Sequence, residues 1–253
     1  MKQVKFFLVA LMAVVMGMSV TSCMNGDDNH NVTMTVPVKY NYGSFLMGDG
    51  TTKLVPKLQS WAFWDGNMFI ISCQYDQSQV TANSTSIPVT LLSTPLCIDP
   101  KGNEGLNSQK TEPTNPLYSL DKQQSSLVYY DKNTIVLTMP YWVKVTNSSV
   151  EDSEVKKHSF VLSYDREAIK DTDTKLKLYI SHVVDDAGET VTRSNFTYAY
   201  RAYSIREALT AFSNKTGKLP KYLELTAQTN NSKDELKEEN GETSVEYDYA
   251  FTE

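Results

Sequence analysis

The stretch "KLKLYISHV", residues 175–183, sets the terms on which this chain folds: Leu176, Leu178 and Ile180 recur at every second position, with Lys175 and Lys177 between them. Side chains alternate across a strand, so this segment has one buried face and one wet face. The same β-branched and aromatic composition returns in "NMFIISCQY", "IPVTLL", "SLVYY", "TIVLTMPYWVKV", "HSFVLSY" and "TVTRSNFTYAYRAY", with turn formers between the runs. The chain therefore reads as all-β. One segment, "SIREALTAFSNKTG", has helical spacing instead. Ile205, Leu209 and Phe212 form its apolar stripe, Ser204 and Glu207 stand at capping-box spacing, and Gly217 stops it. "DDAG" at 185–188 supplies turn chemistry that predicts a hairpin over residues 175–203. "SVEYDYAF" near the carboxyl end alternates and predicts a closing strand.

The amino terminus carries a different signal. Lys2 and Lys5 precede the charge-free run from Phe6 to Val20, whose 15 residues fall short of the roughly 20 a spanning helix needs. Small polar residues follow it instead of a stop-transfer cluster, so residues 1–22 read as a cleaved signal peptide. Val20, Thr21, Ser22 and Cys23 resemble a bacterial lipobox, which implies that Cys23 becomes the first mature residue and takes a diacylglycerol. Two or more acyl chains anchor a protein stably where one does not. Asp27 and Asp28 resemble the acidic export signal that sends lipoproteins to the outer leaflet in Gram-negative gut and oral anaerobes. The expectation is an outer-membrane lipoprotein exposed at the cell surface, with the periplasmic face as the alternative.

Charge narrows the partners. Residues 1–22 hold two lysines and no acid, so removing them takes the net charge from −6 to −8. An acidic body argues against nucleic acid and against further contact with anionic lipid. Beyond Cys23 the cysteines are Cys73 and Cys97, both in strand-like runs, which favours two buried thiols over a bridge. The segment 99–116, "DPKGNEGLNSQKTEPTNP", has turn composition and no apolar period, so it reads as a linker or long surface loop. The organisation expected is a tether over 23–35, one β domain over 36–98, that linker, and a second β domain over 117–253.

"WAFWDGNMFIISCQYD" leading into "IPVTLL", followed by "VLTMPYWVKV" and "KKHSFVLSYD" behind a lipobox and an acidic tether, resembles the NigD-like lipoproteins. The resemblance implies an amino-terminal barrel of the oligonucleotide/oligosaccharide-binding (OB) type and a carboxy-terminal β-sandwich. Family members have no settled biochemical activity, and the family name derives from a bacteriocin gene cluster. Fold alone does not supply an activity.

Catalytic signatures are absent from the sequence: it holds no Gly-x-Ser-x-Gly elbow, His-Glu-x-x-His pair, Cys-x-x-Cys or phosphate-binding loop. His30 lies in the tether, while His158 and His182 sit on apolar strand faces, where a histidine reads as packed or hydrogen-bonded. Asp185 and Asp186 fall in a turn and bond the local backbone. "DTDTK" at 171–175 lacks the glycine and terminal glutamate of a calcium loop and reads as solvated. No enzyme, metal or cofactor is expected. The aromatics remain. Trp61 and Trp64 point to opposite faces of one strand, as do Tyr141 and Trp142 of another, and these four are the candidate binding residues. Tyr198 and Tyr200 share a face, opposite Tyr203. The function expected is non-catalytic binding of a macromolecular partner from a lipid anchor; alternatives are a carbohydrate-binding surface module and a bacteriocin-immunity-type factor.

Overall fold

The computed structural model describes residues 30–57, 68–81, 83–98, 106–237 and 241–251. They fall into two compact units. The first comprises the described residues up to position 98 together with Val128–Val136; the second takes the rest.

The first unit contains β1 (Asn31–Asn41), β2 (Ser44–Leu46), β3 (Lys53–Pro56), β4 (Met68–Asp76), β5 (Ser86–Leu91) and the short β6 (Leu96–Cys97). Its sheet runs β1-β2-β3-β5-β4, and β1 pairs again with β4, which closes five strands into a barrel with β6 appended to β4. Among the described residues of this sheet the parallel β3–β5 step is the single exception to antiparallel pairing. That strand order is the Greek-key order of an OB barrel, as expected. Alternation explains the interior: Val32, Met34, Val36 and Val38 of β1 turn inward onto Phe45, Leu54, Ile71, Cys73, Ile87 and Val89. Each such side chain contributes about 1.5–3 kcal/mol on burial. β1 begins at Asn31, inside the stretch read as a tether.

A segment distant in sequence completes this unit. β7 (Ser126–Asp131) and β8 (Thr134–Val143) are sheet neighbours joined by Lys132 and Asn133, and the tip of that hairpin, Val128–Val136, belongs with the barrel. Tyr130 donates its hydroxyl to the carbonyls of Leu46 and Met47, both at 3.4 Å, and lies under the Lys39 ammonium, 4.9 Å from the ring centre. A Cβ on Gly48 would stand 1.4 Å from the Tyr130 carbonyl oxygen, so no other residue fits at this close approach.

The second unit adds α1 (Asp152–Val155), β9 (His158–Ser163), β10 (Lys175–Val184), β11 (Asn195–Ser204), α2 (Arg206–Thr216), β12 (Tyr222–Gln228) and β13 (Glu242–Asp248). One sheet has the order β13-β12-β10-β9, and the other is β11-β8-β7. Together they make the β-sandwich. The expected hairpin over 175–203 does not form. Its turn is present, with Ala187 at φ 52° and Gly188 at φ 84°, but β10 pairs with β9 and, in parallel, with β12, while β11 joins β8. The ten residues between β10 and β11 carry the chain from one sheet to the other. "SVEYDYAF" supplies β13, antiparallel to β12.

α2 keeps its predicted stripe, with Leu209 and Phe212 buried beside Ala208 and Ala211, and its stop, Gly217 at φ 74°. The capping box is corrected. Ser204 is spent as the last residue of β11, Ile205 takes the cap position with no side-chain bond, and Glu207 accepts from the Tyr164 hydroxyl instead.

The segment read as a linker or long surface loop holds the division between the two units, at 102/103, and its described part is paired to strands. Asn107 bridges β9 through Ser163, Asn115 bridges β10 through His182, and Leu117 bridges both Tyr141 of β8 and Thr229 beyond β12. The Leu117 N–H donates to the Gln228 carbonyl at 2.9 Å, and the Leu117 carbonyl accepts from Asn230. Residues 107–117 are a strap that links the two sheets. Pairing satisfies backbone groups that composition alone assigns to water.

Candidate functional site

A buried ionic cluster occupies one end of the sandwich. Arg193, in the connection between β10 and β11, is 4% exposed. Its Nε donates to Glu154 Oε1 at 2.7 Å, its Nη2 to Asp186 Oδ1 at 2.7 Å, and its Nη1 to Asp186 Oδ2 at 2.9 Å and Asp234 Oδ2 at 3.4 Å. Lys157 reaches Asp186 at 3.3 Å, and the Asn115 amide donates to Asp234 at 3.0 Å. One planar cation thus holds three carboxylates. The fork geometry of a guanidinium suits that task where an ammonium does not.

Two histidines extend the cluster inward. His158 Nε2 lies 3.3 Å from Glu154 Oε1, His158 Nδ1 lies 2.9 Å from His182 Nε2, and His182 Nδ1 lies 3.0 Å from the Pro116 carbonyl. That carbonyl only accepts, so His182 Nδ1 carries the hydrogen. His182 Nε2 then accepts from the Nδ1–H of His158, and both tautomers are fixed. The remaining nitrogen, His158 Nε2, faces Glu154 Oε1, an oxygen already served by Arg193 and by the Lys144 N–H at 3.0 Å. It is the place where a further proton would go.

The electrostatics follow from this crowding. Burial lowers both imidazoles toward the neutral form, His182 to about 3, with the neighbouring His158 adding to the effect. Burial pushes the Glu154 carboxyl up, but the Lys144 N–H, Arg193 and His158 together hold it below the usual carboxylate range. Asp186 is lowered by its hydrogen bonds to Arg193. Asp234 goes the other way, raised by burial against the help of Asn115 and Arg193. The cluster combines acid, base and cation in a relay-like order, yet it is walled in. The side chains of His158 and Arg193 are 0% and 1% exposed. The rings of His158, His182 and Phe160 stack, with Tyr141 meeting all three edge-on at 4.8, 5.7 and 5.0 Å. No substrate atom reaches these nitrogens in this arrangement.

A second assembly lies at the surface of the same unit. Tyr118, held by its N–H to the Pro140 carbonyl, stacks on Phe196 with ring centres 4.3 Å apart and planes at 20°. Phe196 and Tyr198 alternate on β11, share a face, and meet edge-on at 6.0 Å. Both are exposed, by 42% and 40%. Trp142 supports Tyr118 from behind at 5.0 Å. Tyr118 also lines a cleft of about 590 Å³ whose other walls include Ser119, Asp121, Lys122, Asn231 and Thr243.

The sequence candidates fare unequally. Cys23, Trp61 and Trp64 lie outside the described residues. Tyr141 and Trp142 are corrected as binding residues: they are 3% and 6% exposed, because β8 is covered on both faces. The Trp142 indole N–H donates to the Asn230 carbonyl at 2.8 Å. His158 and His182 are packed and hydrogen-bonded, as read. Asp185 accepts from Ala187 in its turn, whereas Asp186 is drawn into the cluster. Asp173 caps its own loop through the Lys170 N–H. Both cysteines are thiols; Cys73 is buried, with burial raising its pKa to about 12, but Cys97 is exposed on the two-residue β6 and so corrects the expectation of two buried thiols. Sequence reasoning missed Arg193, Glu154, Asp234, Tyr118 and Phe196. The i, i+4 spacing of Glu154 and His158 beside a short acidic helix was the one available signal.

No protein-family model and no curated protein matches the chain. Solved structures do. A Bacteroides fragilis protein named a "putative lipoprotein" shares 28% identity, with 86% of this chain and 98% of that one covered at a TM-score of 0.67. An uncharacterized protein of Parabacteroides merdae shares 13% identity over 86% and 98% of the two chains, at a TM-score of 0.52. A NigD-like immunity protein of Bacteroides caccae shares 13% over 85% and 90%, at 0.41. The fold is thus one that the solved proteins of B. fragilis and P. merdae already display.

Proposed function

We propose that this chain is a non-catalytic lipoprotein of the NigD-like kind, anchored through Cys23 at the outer membrane and presenting its sandwich unit to a macromolecular partner. The observation that carries the reading is a contrast in exposure. The side chains able to move protons, His158, His182, Glu154 and Arg193, are buried and turned toward one another, whereas the rings of Phe196 and Tyr198 stand in solvent. Chemistry-bearing groups are used as structure, and the accessible groups are those that bind. The lipobox residues Val20 to Cys23 and the name of the B. fragilis protein support the anchor. The OB strand order followed by a sandwich supports the kinship.

Fractionation of cells expressing the chain tests the anchor. The parent should sediment with membranes and incorporate labelled fatty acid; Cys23→Ala should be soluble and unlabelled, and continued labelling of that variant sinks the anchor. The binding reading is tested by incubating the soluble variant with outer-membrane extracts and surface polysaccharides. A partner recovered intact in fixed proportion supports it, and time-dependent release of product overturns it.

A further inference from the structure

We infer that β11 is the edge through which two copies of this chain pair, antiparallel and about a two-fold axis, an inference that rests on the non-catalytic binding reading above and names the partner that the exposed rings of β11 meet. The strand at the edge of a sheet leaves a row of N–H and C=O groups outside the ladder, a template for another chain, and folded proteins defend such edges with charge, shortness or cover. The sandwich has four edges, in the orders β13-β12-β10-β9 and β11-β8-β7. Three of them are defended. The strap covers β9, where the Asn107 N–H donates to the Leu162 carbonyl at 3.1 Å and the Asn107 carbonyl accepts from Tyr164 at 2.9 Å. β13 carries Glu242, Glu246 and Asp248 within seven residues. β7 is six residues long, and all but its first two belong with the barrel. β11 has none of these devices: it is ten residues long, holds neither proline nor glycine, and has Arg201 as its single charge. Its first six residues, Asn195 to Tyr200, are uncharged, and among the described residues β11 pairs with β8 alone.

Charge selects the occupant. Two copies of an acidic chain, net −6 in full, repel each other, and two β13 edges would set acid against acid. The stretch Asn195 to Tyr200 is a place where two copies meet without that cost. A strand that pairs antiparallel with its own copy sets residue i opposite j and j opposite i, so whatever suits one side suits the other. Centring the pair on Tyr198 places Tyr198 opposite its copy and Phe196 opposite Tyr200, aromatic against aromatic on one face, with Thr197 opposite Ala199 on the other. Arg201 then lies opposite Asn195, and the two guanidiniums stand about 20 Å apart along the strands, well beyond the screening length of about 8 Å. A register centred nearer Arg201 would bring them together. The stack of Tyr118 on Phe196, with Trp142 against Tyr118, holds one ring of the pair in place before the copy arrives, so little freedom is lost on pairing. Copies anchored to one membrane through Cys23 meet at a raised effective concentration.

Sedimentation velocity of the whole mature chain carrying Cys23→Ala, from micromolar to submillimolar concentration, tests the pairing. The parent should pass from monomer to dimer. Tyr198→Lys sets two like charges across the axis and should weaken the dimer by about tenfold or more, with its unfolding midpoint unchanged because the side chain is exposed. Leu92→Lys, exposed in the barrel, should leave the dimer as it is. A second measurement reads the register. Residues opposite each other in an antiparallel pair have Cα atoms about 4.5–5.5 Å apart, within disulfide reach. With Cys97→Ser removing the exposed thiol, Tyr198→Cys should link two chains under mild oxidation, and Thr210→Cys, exposed on α2, should not. A parent that stays monomeric while Tyr198→Cys fails to link, or a dimer that Tyr198→Lys leaves intact, overturns the inference. A monomeric parent that captures an outer-membrane protein through Tyr198 would overturn the second copy as partner and leave the binding reading standing. A dimer that releases product from a polysaccharide would overturn the non-catalytic reading and leave the pairing.

Discussion

The two units bury opposite kinds of interior. The barrel core is apolar from Val32 to Val89, and Thr52 is its sole buried polar residue among those described. The sandwich buries His158, His182, Glu154, Arg193, Asn230 and several hydroxyls. An apolar core is non-directional and accepts many packings of similar volume. An ionic cluster is directional: every removed partner leaves another group uncompensated in low dielectric. The difference teaches where each unit gets its uniqueness. In the barrel it comes from closure of five strands and one seated tip, and in the sandwich from a bonded cluster that admits one arrangement of the strap, α1 and the β10–β11 connection.

Removing Arg193 should break the sandwich most. Arg193→Ala leaves Glu154 and Asp234 without their cation and should cost about 3–5 kcal/mol, read by chemical denaturation as a separate, earlier transition; a loss under about 1 kcal/mol would mean that the cluster behaves like a surface ion pair. The barrel has one position of comparable sensitivity. Gly48→Ala drives a methyl into the Tyr130 carbonyl and should cost about 3 kcal/mol through displaced backbone, with the Tyr130 environment, followed by NMR, changing while that of His182 does not.

Acid should separate the units next. Both histidines have folded pKa values below the ordinary 6.5, so below that pH the unfolded chain binds more protons. Stability present above about 6.5 is therefore lost as pH falls toward 3, by about 1.4 kcal/mol per pH unit for His182, and His158 adds a loss of the same sign. Glu154 and Asp186, both lowered, add a loss of the same sign at lower pH, and Asp234, raised, opposes it. Unfolding midpoints between pH 7 and 5 should drop for the sandwich transition alone, and His182→Asn should flatten the drop; an equal slope in the barrel transition would count against this assignment. The smallest effect belongs to Ile71→Val in the barrel, about 0.5–1.5 kcal/mol with no pH dependence.

What was legible in the sequence was local. Alternation in β1 and β10, the stripe of α2 and the positive φ of Gly217 all follow from side-chain size and backbone sterics within a few residues. The OB order was legible through family resemblance. Partner choice was not. "DDAG" turned the chain as its composition requires, but a turn does not state which strand the returning chain will meet, and ten residues suffice either to fold β11 back on β10 or to carry it to the other sheet. The strap was hidden for a related reason: Asn107, Asn115 and Leu117 have no period, because each pairs with a different strand. Tyr141 and Trp142 showed that opposite faces do not imply one wet face when both sides of β8 are covered. Glu154 and Asp234 lie 39 and 41 residues on either side of Arg193, and nothing along the chain announces their meeting.

The seating of Tyr130 beneath Lys39 has a consequence for the order of events during synthesis. Every strand of the closed barrel has been made by Leu91, yet the piece that occupies the Gly48 floor arrives only with Val128–Val136. A chain emerging amino terminus first has all five barrel strands before either the strap or the tip is made. Contacts of such sequence separation are slow to close. The first unit to be started is therefore finished only after part of the second exists, and a fragment cut before the tip would have its full complement of barrel strands without its last piece.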